Sequence, residues 1–261
     1  MFPVYDENGF RYSKFWPWMT WSLVAINTLI TVFLSFLPTI FANAIASQFA
    51  IVPAFISGSA NPDSTELLIR PWLTLLTYGF IHVKWSHLAS NMLVLWVFGD
   101  NIEKATGHIR FLLFYFLCQI AGGLTQVVSD PSSLVPSIGA SAAVSSIVGG
   151  YLLVRPQARV VMLVLGVMTV NFRAYWVIAG WMIWQLAEYL IYQADSNVAY
   201  WGHFGGFVSG ALLIVLLRRP DVKIFGRPGP RSALRSGFTS TRRRLNRLKS
   251  AIRAFLSRQK K

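Results

Sequence analysis

Apolar residues run through this chain in long stretches, broken by short polar segments at intervals that suit repeated membrane crossings. No charged residue occurs between Lys14 and Asp63, and a crossing needs about 20 predominantly apolar residues to traverse a hydrocarbon core of ~30 Å. A first span is predicted over Phe15 to Phe41, with Trp16 and Trp18 as interfacial aromatics at one end. Residues 42–84 follow as a long connection. It is rich in Ser, Pro and Gly yet still apolar in "FAIVPAFISG", and is expected to lie partly in the membrane interface. The second span, Trp85 to Ile102, is charge-free only as far as Gly99, so its helix has to continue into charged residues at the inner end. Further spans are predicted over Phe111 to Val128, from Ser141 to Arg155-Pro156, over Ala174 to Tyr192 and over Trp201 to Leu217. The segment "VVMLVLGVMTVNF" between Arg159 and Arg173 has thirteen residues, which suits an interfacial or re-entrant piece better than a crossing.

Composition agrees with this pattern. Hydrophobic residues make up 54% of the 261 and charged residues only 13%, outside the range of ordinary soluble domains. The expected fold is an all-α, six-helix integral membrane bundle over residues 15–218, preceded by a cytoplasmic segment, 1–14, and followed by a basic cytoplasmic tail, 219–261. The N-terminal "MFPVYDENGFRYSK" lacks a positive leader region and the run after it is long, so the first span is expected to be retained. Cys118, alone in the sequence, sits in an apolar run and is read as a small buried hydrophobe.

Of the formal charge of +14, the segment from Arg219 to Lys261, with fourteen Lys or Arg and the single acid Asp221, holds +13. Arg11, Lys14, Lys104, Arg110, Arg155, Arg159, Arg173 and the tail fall on one side of a six-span arrangement, against Arg70 and Lys84 on the other. By the positive-inside rule both termini are cytoplasmic; in a bacterium the membrane would be the inner one. In the tail, Leu245, Leu248, Ile252 and Phe255 recur at helical spacing among Arg and Lys, as in a basic amphipathic helix lying on anionic lipid headgroups. The preceding "GRPGPRSALRSG" reads as a flexible linker. No aromatic residues are placed to stack on bases, so nucleic acid is not an expected partner.

The crossing order gives three polar residues a common depth. The second, fourth and sixth spans all begin at the outer face, and His87, Ser141 and His203 lie in their first turns. Were the thirteen-residue segment to cross, the last span would reverse and His203 would be carried to the opposite side from Ser141.

Ser141 follows Gly139 and Ala140 at the start of a helix, where unpaired backbone N–H groups can hold a developing oxyanion. Small hydroxyl residues in spans often serve close packing instead. An intramembrane histidine is costly and points to function, and His203 is the candidate base. Gly206 and Gly210 share its helical face and allow close approach to Ala142, Ser146, Gly149 and Gly150 on the fourth span. A neutral, oriented histidine suffices for such a pair. Neither Asp195, in the outer loop, nor Glu188, near the outer end of the fifth span, is placed as a third member. His87 and Asn91 are one helical turn apart and suit hydrogen-bond donation to an oxyanion. A third ligand at metal-binding spacing is lacking, so neither metal nor other cofactor is expected. His82 is assigned to water or to the loop. Ser90, Asn91, Ser145 and Ser146 are expected to line a wet pocket open to the outside.

"HVKWSHLASN", "GASAA" and "GHFGGFVSG", in that order on alternate spans, resemble the rhomboid intramembrane serine proteases. The similarity covers roughly residues 70–218, with "RPWLTLLTYGFIH" before the second span and "GDNIEKATG" after it. It implies a six-helix core that cleaves transmembrane segments of other proteins near the outer surface, entered beside the fifth span, which here bears Trp176, Trp181 and Trp184. Carried over position by position, Ser141 is the nucleophile and His203 the general base, while His87, Asn91 and the Ser141 N–H form the oxyanion hole. Two positions depart from the family pattern: Ala142 stands where Gly-x-Ser-Gly ends, and Ser145 where some members carry an aromatic under the histidine. The alternative is a catalytically inactive relative that binds transmembrane clients. A small-solute transporter fits less well, since neither internal repeats nor paired broken helices are visible.

Overall fold

A computed structural model describes residues 2–6, 15–61, 67–164, 168–192 and 198–226. These lie in a unit spanning Met1–Arg227. The proposed linker, the tail helix with Leu245, Leu248, Ile252 and Phe255, and Asp195 lie outside the described residues. Within them the chain is predominantly helical: α1 (Trp18–Ser35), α2 (Thr39–Phe49), α3 (Pro53–Ser57), α4 (Thr74–Thr77), α5 (Trp85–Thr106), α6 (His108–Ser129), α7 (Ser141–Val154), α8 (Ala174–Tyr192) and α9 (Tyr200–Leu217). Among the described residues α1, α6 and α9 are long and apolar enough to cross a membrane, and α7 is a shorter apolar helix.

The first span is shorter than its apolar run. α1 stops at Ser35 because Pro38, extended at φ −52° and ψ 140°, cannot continue it, and α2 starts immediately after. α5 runs past Ile102 to Thr106, into charged residues as expected, and ends where Gly107 takes φ +86° and turns the chain into α6.

The connection before α5 contains short helices, α2 to α4. It is tied to α6: the Tyr78 hydroxyl donates to the Gln119 carbonyl (2.8 Å), and Gln119 Nε2 donates to the carbonyls of Leu75 (3.3 Å) and Leu76 (2.8 Å). Gly79 makes room, since any Cβ there would run into the Gln119 amide.

The thirteen-residue segment does not form a helix. β2 (Arg159–Val164) and β3 (Met168–Arg173) pair antiparallel, Arg159 opposite Arg173 and Val164 opposite Met168, and β1 (Phe2–Asp6) adds to the free edge of β2. Apolar β-branched residues without helical periodicity suit a buried strand. The hairpin returns the chain beside its starting point, with the Ala174 N–H donating to the Ala158 carbonyl at 2.8 Å.

α7 is at the centre of this unit; every residue from Ala142 to Tyr151 is buried. It meets α9 backbone against backbone. A Cβ on Gly206 would strike the carbonyl of Ala142, one on Gly210 that of Ser146, and one on Gly149 that of Phe207. Small residues permit this approach, and close packing holds membrane helices together where no hydrophobic drive separates them from lipid.

α1 is anchored by a buried carboxylate. Pro17 caps it with no side-chain bond, and Glu103 of α5, fully buried, serves instead. It accepts from the N–H groups of Met19 (3.0 Å) and Thr20 (2.8 Å) and from the Thr20 hydroxyl (2.7 Å), with His108 Nδ1 at 2.5 Å. A negative charge at unpaired N–H groups of a first turn is favourable on both dipole and hydrogen-bond grounds. Glu103→Ala is expected to lower stability by about 2–3 kcal/mol, since it strands these buried donors. Glu103→Gln, which still accepts through one oxygen, is expected to lose less. Thermal unfolding in detergent measures both.

Candidate active site

Ser141 is the first residue of α7, and the strand of chain that delivers it is fastened at three successive points. Ser137 pairs with Ile51 through reciprocal backbone bonds of 2.8 and 3.0 Å. The Gly139 N–H donates to the Tyr78 carbonyl at 2.9 Å, and the Ala140 N–H to His82 Nε2 at 3.3 Å. Gly139 turns the corner at φ +110°, a conformation unfavourable for residues with a Cβ. The missing Cβ also leaves space that the His87 ring occupies. The connection formed by α2 to α4 is thus the scaffold of the Ser141 loop.

His203 is in the first turn of α9, the helix whose glycines press it against α7. Its Nε2 lies 2.7 Å from Ser141 Oγ. Residues 62 positions apart in sequence are therefore in hydrogen-bond contact, on half-buried side chains. The other ring nitrogen, Nδ1, lies 2.7 Å from Oε1 of Gln185 on α8. α9 is further fixed where the Gly202 N–H donates to Gln126 Oε1 on α6 at 3.2 Å.

The remaining residues gather at the same end of the bundle. Asn91 is buried, with Nδ2 3.1 Å from His82 Nε2; this bond uses one of the two amide hydrogens. The His82 and His87 rings stand edge to face, centroids 5.1 Å apart. His82 holds the loop: fully buried, it accepts from the Ala140 backbone N–H beside Ser141. His87 packs over Gly139.

Several expectations change. Asn91, Ser145 and Ser146 are buried and do not line an open pocket. The hydroxyls are spent on their own helices: Ser145 Oγ donates to the Ser141 carbonyl (2.6 Å), Ser146 Oγ to that of Ala143 (2.5 Å) and the exposed Ser90 to that of His87 (2.9 Å). A hydroxyl that cannot reach water bonds back to the preceding turn. The Ala142 methyl does not crowd Ser141, because it packs toward Gly122 of α6, where a second Cβ would collide with it. Cys118 is fully buried, as a small hydrophobe would be.

Gln185 and Gln126 were not apparent from sequence. The signal for Gln185 is slight, an amide within the apolar "WMIWQLAEYL". Nothing in the spacing says that it faces a histidine 18 residues later.

The rhomboid-domain family model matches residues 70–220, more than half of the chain. Curated relatives include the rhomboid protease GluP of Bacillus subtilis, 31% identical over 60% of this chain and 28% of its own length. Rhomboid-like protease 3 of Toxoplasma gondii is 28% identical over 63% of each chain. Rhomboid protein 1, mitochondrial, of Saccharomyces cerevisiae is 26% identical over 54% of this chain and 40% of its own. The chain thus spans between about a quarter and two thirds of the length of these relatives.

The α7–α9 contact is testable by size alone. Gly206→Val should destabilise the protein by about 1–3 kcal/mol through overpacking against the Ala142 carbonyl. Gly180→Ala, on α8 with nothing near its missing Cβ, should be neutral or slightly stabilising. Thermal unfolding of both in detergent is the check.

Proposed function

This chain belongs to the rhomboid family, a multi-pass membrane protein whose curated relatives include named proteases, and on that premise we propose that it is an intramembrane serine endopeptidase with Ser141 as nucleophile and His203 as general base. The observation that carries this reading is the 2.7 Å contact between Ser141 Oγ and His203 Nε2. Oγ attacks the scissile carbonyl carbon as its proton passes to Nε2. The tetrahedral intermediate then collapses, the C–N bond breaks and the same proton goes to the leaving amine. Water, deprotonated by Nε2, attacks the acyl-enzyme and releases the second product together with the free serine.

The oxyanion falls to the Ser141 N–H, which as the first of a helix has no intrahelical partner, with His87 and Asn91 as the side-chain donors. The substrates are transmembrane segments of other proteins. α7, with 14 residues, is about 21 Å long at 1.5 Å per residue, against ~30 Å for the hydrocarbon core. With its Val154 end at one surface, Ser141 lies inside the membrane, below the other. In this reading α1, α5, α6, α7, α8 and α9 are the six spans, both termini are cytoplasmic and the membrane is a bacterial inner membrane. The basic tail rests on anionic headgroups.

A fluorophosphonate probe added to the solubilised protein should label Ser141, and Ser141→Ala or His203→Ala should lose both labelling and cleavage of a transmembrane substrate, a fall of at least about 10³-fold. Folded wild-type protein that takes no label would favour the inactive, client-binding relative.

A further inference from the structure

A neutral imidazole carries one proton and has two tautomers, only one of which lets Nε2 act as base toward a serine. Something has to select it. In this chain the selection does not come from a carboxylate: no Asp or Glu among the described residues is recorded in contact with His203, and Glu188 is three residues beyond Gln185 on α8. It does not come from position 145 either, since the Ser145 hydroxyl is turned to the Ser141 carbonyl. Tyr200, one turn before His203 on α9, offers only a ring-edge contact, centroids 6.4 Å apart at 77°.

One polar group remains, and it is well placed. Gln185 Oε1 lies 2.7 Å from His203 Nδ1. A side-chain carbonyl oxygen can only accept. With the amide in this orientation Nδ1 holds the ring proton and donates it to Gln185, which leaves the Nε2 lone pair facing the Ser141 hydroxyl 2.7 Å away. The opposite tautomer would require the Gln185 amide to turn over and offer its NH2 to Nδ1, and an Nε2 proton would then point at the oxygen that has to be deprotonated. Bonds at both ends of the ring also fix its rotation. We propose that Gln185 is the positioning residue of this site, holding His203 in the tautomer and orientation that let it accept the Ser141 proton. The proposal rests on the protease reading of Ser141 and His203.

Being neutral, the amide selects the tautomer without adding a charge to the membrane interior, where an unpaired carboxylate would be costly. It comes from α8, so the fourth and sixth predicted spans supply the reacting groups and the fifth supplies their alignment.

Two measurements test this. The first is ¹⁵N NMR of histidine-labelled full-length protein in detergent, with four histidines to resolve and His203→Ala to assign the signal. The expected result is Nδ1 protonated and Nε2 bare in the wild type, with a mixture of tautomers in Gln185→Met. An Nε2-protonated His203 in the wild type overturns the proposal. The second is the rate of fluorophosphonate labelling. Gln185→Met, close in shape but unable to accept, should label about tenfold more slowly, as expected for one lost hydrogen bond. Gln185→Glu, which keeps an acceptor oxygen in either protonation state, should recover most of that loss. Labelling of Gln185→Met at the wild-type rate, or no recovery with Glu, overturns it. A folded wild-type protein that never labels removes the protease reading, and the tautomer measurement still decides the Gln185 assignment.

Discussion

The backbone contact between α7 and α9 is the constraint on which the site depends. Ser141 and His203 each sit in the first turn of their helix, so whether their side chains can meet is set by the distance between the helix axes. Glycine at 206, 210 and 149 brings those axes as near as backbone atoms allow, and a single methyl on either side would open the gap. In water such packing would be one option among several. In lipid, where apolar surface gains nothing by leaving the tails, close contact and hydrogen bonds are what hold helices in register.

The second constraint is that buried backbone has to be satisfied from within. Residues 137–140 approach α7 without secondary structure of their own, and they are held by Ile51, Tyr78 and His82 in turn. That makes the connection before α5 part of the site, although it carries no reacting group. Asn91 and His87 extend the same cluster, which gives the donors proposed for the oxyanion a structural duty as well. Glu103 at α1 follows the same rule: a carboxylate sits deep in the bundle because three donors and His108 await it.

Sequence carried the pairing of Ser141 with His203 because both halves of the evidence are local. Helical spacing puts Gly206 and Gly210 on the His203 face, and both residues open their helices. The hairpin at 159–173 was legible only as something too short to cross; the third strand of its sheet, β1, lies some 150 residues away, where no local pattern reveals it. The helices within 42–84 were hidden by Pro and Gly, which here act as helix starts and turns rather than as markers of irregular chain. Ser145 and Ser146 were misread because hydroxyl content alone does not say whether an oxygen faces water or its own helix. Gln185 was invisible for a related reason: its partner is chosen by how α8 leans on α9, a tertiary fact without sequence periodicity.

That lean gives α8 a role out of proportion to its packing. Trp176, Ile183, Trp184, Leu186, Leu190 and Ile191 are exposed on it, as suits a helix facing lipid, and Gly180 meets no neighbour. It is held at its start, where the Tyr175 N–H donates to the Pro156 carbonyl at 3.1 Å, and toward its far end by Tyr189 against the rings of Tyr200 and Trp201. Between these lies the Gln185–His203 bond. The alignment of the site is thus referred to a helix without the glycine interface that locks α7 to α9. A displacement of α8 small enough to leave the rest of the bundle unchanged would still release Nδ1 of His203.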